Sequence, residues 1–236
     1  MKNSKHFMRP VLIVFIAVVF LSCKNDKAEK EDPAMTENDS VSDDFEPFKV
    51  ILIKHEVADY NEWRSEYDAH DSIRRVHAIS HFVIGREMDN DNMIIVIDKI
   101  SDVNKAKEFS MLPDLKEKMK KAGVKGLAMF SYYDVIRNND ARINLRDRLM
   151  VIHRVKDFDA WLKVYDNEGM TKRMEEGLID RAMARSIDDP NVVALVFAVS
   201  DMNKAKASIT SAEKMKLMKE AGVEGKPELT FYKLTE

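Results

Sequence analysis

Residues Val57-Ala58-Asp59-Tyr60-Asn61-Glu62-Trp63, followed by Tyr67-Asp68, return 98 positions later as Val155-Lys156-Asp157-Phe158-Asp159-Ala160-Trp161, followed by Tyr165-Asp166. Further on, Ser101-Asp102-Val103-Asn104-Lys105-Ala106-Lys107 returns as Ser200-Asp201-Met202-Asn203-Lys204-Ala205-Lys206, now at a spacing of 99. Met119 to Gly126 returns as Met218 to Gly225 at the same spacing. Self-similarity on this scale means that one structural unit is written twice, and the change of spacing puts a one-residue insertion between the blocks, near Glu176.

Each copy reads as strand, helix, strand, strand, helix, strand. Ile51 to Val57 and Leu149 to Val155 are apolar runs of strand length. Asp59 and Asp157 stand at N-cap positions, and Glu62 three residues after Asp59 completes a capping box. Tyr60, Trp63 and Tyr67, and in the second copy Phe158, Trp161 and Tyr165, fall on one helical stripe and are expected in the core. Asp89 to Asn92 and Asp188 to Asn191 make the turns between the middle strands. A second helical region runs from Asp102 or Asp201 to Gly123 or Gly222, each glycine suited to a left-handed C-cap. The copies span residues 49–137 and 148–236, with a polar linker at 138–147.

This order is the ferredoxin-like βαββαβ unit. At the Val-x-Asp-aromatic-x-x-Trp, Asn-Lys-Ala-Lys and Ala-Gly-Val-x-Gly positions each copy resembles the dimeric α/β-barrel superfamily, which includes antibiotic-biosynthesis monooxygenases, muconolactone isomerases and stress-responsive domains. The resemblance covers residues 49–236. It implies an α+β fold in which the two repeats bring their sheets together within one chain as a pseudo-dimeric barrel. It also implies, as an alternative to simple binding, a cofactor-independent monooxygenase or isomerase. The asparagine, tryptophan and histidine set of the family's haem-degrading branch has no residue-by-residue match here.

The N-terminus reads differently. Lys2, Lys5 and Arg9 precede an apolar run from Val11 to Leu21 that is too short to cross a hydrocarbon core as a helix, and residues 1–22 therefore read as a signal peptide. Phe20-Leu21-Ser22-Cys23 resembles a bacterial lipobox. That resemblance implies acylation of Cys23, a chain tethered to a lipid membrane, and a place in the bacterial cell envelope, facing the periplasm or the surface. Residues 23–48 then form an acidic, aperiodic spacer with nine Asp or Glu against three Lys. The signal and the spacer account for the whole formal charge of −3, so the remaining chain is neutral. This argues against tracking a nucleic-acid backbone. With Cys23 the single cysteine, neither a disulfide framework nor a thiolate cluster can form.

Candidate chemistry follows the duplication. His55 and His153 recur near the ends of the first strands, where a neutral imidazole can act as a base, ligate haem iron or satisfy a local hydrogen bond. Alternation puts His55 with Ile51, Ile53 and Val57, although a strand-end bulge would reverse that face. Arg86 and Arg185 recur on the second strands and need a carboxylate, from an acidic ligand or from Asp68 and Asp166. Tyr133 and Tyr232 on the last strands line the enclosed space or cap the core. The space between the paired sheets is the expected site for one small apolar or aromatic molecule. His70, His77 and His81 lack metal-ligand spacing, so no metal is expected, and haem is the one cofactor the histidines leave open. A further homodimer is compatible with the sequence.

Overall fold

The computed structural model describes residues 45–235. The signal peptide, Cys23 and the spacer before residue 45 lie outside the described residues. The first repeat comprises β1 (Phe48–Val57), α1 (Tyr60–Ala69), α2 (Asp71–Val76), β2 (Ile79–Glu87), β3 (Met93–Ile100), α3 (Val103–Ser110), α4 (Leu115–Lys121) and β4 (Val124–Asn138). The second comprises β5 (Asp147–Val155), α5 (Phe158–Glu168), α6 (Met170–Glu175), β6 (Leu178–Ser186), β7 (Val192–Val199), α7 (Met202–Ile209), α8 (Ala212–Glu220) and β8 (Val223–Leu234).

The expected order holds, with each helical region broken in two. Pro113 disfavours helix at Leu112 and separates α3 from α4. Gly169, at φ +80°, separates α5 from α6. Because α5 is one residue longer than α1 while α2 and α6 are equal, the extra residue of the second copy lies near the end of α5, before Gly169, and not near Glu176. The helix starts obey the sequence: the Asp59 carboxylate accepts from the Asn61 and Glu62 amides, and Asp157 accepts from the Ala160 amide.

All eight strands form one antiparallel sheet in the order β1-β3-β2-β8-β5-β7-β6-β4, with β4 pairing back to β1 to close the ring. The repeats meet edge to edge. One seam pairs Gly85, Arg86 and Glu87 of β2 with Leu234, Lys233 and Tyr232 of β8, and the other pairs β4 with β6 from Tyr133↔Ser186 to Asn138↔Ala182. Edge pairing, unlike face-to-face stacking of two separate sheets, leaves no sheet edge exposed.

Closure divides the apolar residues of each strand between two environments. On β1, Ile51, Ile53 and Val57 pack under the first repeat's helices with Trp63, while Val50 and Leu52 point inward to join Tyr133, Met150 and Tyr232. On β5, Leu149, Val151 and Val155 pack under the second repeat's helices with Trp161. The copies also share cores: Ile187 packs into the first repeat's cluster and Ile136 into the second's. Both tryptophans are buried, as the helical stripe requires.

Candidate functional site

The two histidines face the helices and not the barrel interior. Extra residues fall on the partner strands: between Lys54↔Met129 and Glu56↔Lys125, β1 contributes His55 alone while β4 contributes residues 126–128. His153 repeats this against residues 225–227, between Ile152↔Glu228 and Arg154↔Glu224. Gly126 and Gly225 make the excursion at φ +66° and +69°, a left-handed backbone that glycine adopts without a Cβ clash. The bulge thus interrupts the ladder beside each histidine and leaves the alternation of β1 and β5 intact.

His55 and His153 are 4% and 6% exposed, and among the described residues neither ring nitrogen of either imidazole has a hydrogen-bond partner. The nearest aromatic neighbours are Trp63, with ring centroids 5.4 Å away, and Trp161, at 5.5 Å. Burial lowers each imidazole pKa to about 4, so both rings are neutral at neutral pH. A buried polar group without a partner costs roughly 1–3 kcal/mol. Four such atoms at two equivalent positions therefore stand out as a site.

Each imidazole lines a cleft between sheet and helices. The first, with Trp63, Tyr67, Phe109, Leu112 and Leu115, encloses about 80 Å³. The second, with Trp161, Tyr165, Leu217 and Pro227, encloses about 250 Å³. At the repeat spacing of 99, Ser208 replaces Phe109, Ser211 replaces Leu112 and Lys214 replaces Leu115, which explains the difference in room. Lys214 pairs with Glu168 and Glu176 at the rim.

In the wall of each cleft lies a buried arginine. The Arg74 guanidinium sits 3.6 Å over the Tyr67 ring, and that of Arg173 sits 3.9 Å over Tyr165. Arg173 clasps Asp180 through two nitrogens at 2.8 and 2.6 Å. In the first repeat the carboxylate is Asp98, fully buried, which accepts from the Tyr67 hydroxyl at 2.9 Å and lies 3.9 Å from Arg74. Asp98 pairs across the strands with His81, and Asp180 with Phe197, so the acid has changed strands between copies. Burial first, then the neighbouring carboxylate, raises the pKa of both tyrosines. Sequence comparison missed the Arg74–Arg173 equivalence because the inserted residue was placed after Arg173; an insertion at the end of α5 aligns the two.

The other candidates fall elsewhere. Arg86 and Arg185 line none of these clefts and do not pair with Asp68 or Asp166, which instead bind Arg64 and Arg137. Arg86 donates to the Asp91 carbonyl and lies 4.7 Å over Tyr60, while Arg185 donates to the Pro190 carbonyl and lies 3.9 Å over Phe158. Each fastens a strand turn to the start of a helix. Tyr133 and Tyr232 line a separate cavity of about 340 Å³ inside the barrel. His70 and His77 bond to the Glu66 and Ile73 carbonyls through Nδ1, and His81 approaches the Tyr67 hydroxyl at 3.1 Å. Among the described residues no group of three His, Cys, Asp or Glu is arranged to hold a metal ion.

No family model matches the sequence, and no curated protein matches it. Solved structures do. An anthrone oxidase-like protein superposes with a TM-score of 0.54 at 9% identity, over 80% of this chain and 92% of its own. A "putative monooxygenase" from Fusobacterium nucleatum gives 0.52 at 11% identity, over 80% and 93%. Another "putative monooxygenase", from Lactobacillus acidophilus, gives 0.50 at 14% identity, over 79% and 94%. These shares exceed one repeat, so the likeness takes in both. The chain has the monooxygenase-like ferredoxin fold of these proteins, and at such identities the likeness extends to fold alone.

Proposed function

We propose that the chain is a lipid-anchored envelope protein that binds a small apolar or aromatic molecule carrying a polar group, chiefly in the second cleft. The observation that carries this reading is the His153 imidazole, buried at the wall of a 250 Å³ apolar cleft with both nitrogens unpaired among the described residues. One nitrogen of a neutral imidazole donates and the other accepts, so a ligand hydroxyl or carbonyl satisfies what the fold leaves open. The lipobox-like residues before Cys23 support the anchor.

The alternative, a cofactor-independent monooxygenase or isomerase, draws support from the names of the structural neighbours. A base for use at neutral pH is best tuned near 7, and burial holds His153 at about 4, far below that. Binding is therefore the better-supported role for His153. Haem fits poorly: among the described residues each imidazole lacks the partner that orients a metal-ligating histidine through its second nitrogen.

Native mass spectrometry of the full-length chain from its own cells tests the reading. It should carry a small molecule that Ser208→Phe and His153→Leu both release, and an acyl mass on Cys23 that Cys23→Ala removes. Retention of the molecule by both cleft variants would overturn the site, and an unacylated wild-type chain would overturn the anchor. Oxygen consumption with quinol-like substrates, lost in His153→Leu, would favour the enzyme.

A further inference from the structure

The barrel interior has a chemistry of its own. Its 340 Å³ cavity is walled by Val50, Leu52, Ile97, Val135, Met150 and Val196 among others, and Arg148 and Arg181 stand in the same lining. At the repeat spacing the counterparts of these arginines are Val50 and Phe82. One copy keeps an apolar wall, and the other turns two guanidiniums onto it.

Among the described residues neither arginine is held in a salt bridge. Arg148 is 8% exposed, and its Nη1 donates to the Leu145 and Asp147 carbonyls at 2.8 and 3.0 Å. Arg181 donates to the Ala141 carbonyl at 2.9 Å and approaches the Asn139 side-chain oxygen at 3.5 Å. Among the described residues no carboxylate comes within ion-pair distance of either guanidinium. Asp140 stands in the lining and Asp147 beside Arg148, both beyond that distance. Burial, and then the charge of Arg148, hold Arg181 below the ordinary arginine value, with Asp140 opposing. One buried and one half-buried cation beside an apolar cavity favour an anion with an apolar body, and a guanidinium fork matches the two oxygens of a carboxylate.

We propose that the barrel interior binds an amphipathic carboxylate, its head held by Arg148 and Arg181 and its apolar body in the cavity between Val50, Met150 and Val196. Titration calorimetry on the full-length chain with decanoate, and with decanol as the neutral partner of the same body, tests it. Decanoate should bind at least tenfold more tightly than decanol. Arg148→Met and Arg181→Met should each bring decanoate to the decanol level with melting curves intact, Arg148→Lys should retain part of the preference, and Ala194→Phe, which fills the interior, should remove both ligands. Equal binding of decanol, no binding of decanoate, or decanoate affinity indifferent to both methionine variants would overturn the proposal. Should a methionine variant fail to fold, the wild-type decanoate-to-decanol ratio and Arg148→Lys decide it.

Discussion

The two clefts differ threefold in volume, about 80 against 250 Å³, yet both present an unpaired, neutral imidazole beside a tryptophan. The unpaired state comes from backbone that both copies keep: a strand bulge with a left-handed glycine opposite the histidine. The room comes from three side chains on the second pair of helices of each repeat and the turn between them, where Phe109, Leu112 and Leu115 give way to Ser208, Ser211 and Lys214. Duplication has thus preserved the polar feature and varied the space around it, so room and polarity can be tested separately.

The largest expected effect is on packing that the copies share. Trp161→Ala should destabilise the chain by about 3–5 kcal/mol in chemical denaturation, through loss of buried surface and a new cavity. Phe109→Ala should cost a similar amount and enlarge the first cleft toward the second; a loss under about 1 kcal/mol would mean that Phe109 does not fill that space. Acid comes next. Each imidazole has a folded pKa of about 4 against 6.5 when exposed, so its contribution to stability is complete above pH 6.5 and is lost as pH falls through 4. Relative to His55→Leu, the wild type should lose about 3 kcal/mol by pH 4. Parallel pH profiles would show that the histidine is not buried neutral.

Gly85→Val comes third and probes the seam that joins the copies. A Cβ there would lie 2.3 Å from the Tyr232 ring across the β2–β8 pairing. Overpacking of roughly 1–3 kcal/mol is expected, read from the melting curve. Ala184, the equivalent position in the second repeat, should tolerate valine better, and equal losses at the two sites would refute this asymmetry.

Most of the architecture was legible because it is local and said twice. Repeated caps, turn residues and apolar periods determined the element order, and the halves bury their edges against each other because closure is the solution that leaves none bare. The split helices were less legible: the change of spacing placed the extra residue near Glu176, after Arg173, which left Arg74 and Arg173 unmatched. The face of His55 stayed open, because the residues that decide whether alternation survives lie on β4, some seventy positions away. Arg86 and Arg185 recurred for a structural reason, as fasteners of turns to helices. Arg148 and Arg181 did not recur at all, and periodicity along one strand cannot say which of two apolar faces is enclosed by the barrel.

The central claim is that the fold tolerates His153 for the sake of something it holds. Equilibrium urea unfolding of His153→Leu against wild type at pH 7 tests it most directly. Leucine of similar bulk removes two unpaired nitrogens, so the variant should be more stable by about 1 kcal/mol. A loss of 2 kcal/mol or more would mean that the imidazole has partners the fold depends on, and the cleft would then be ordinary core.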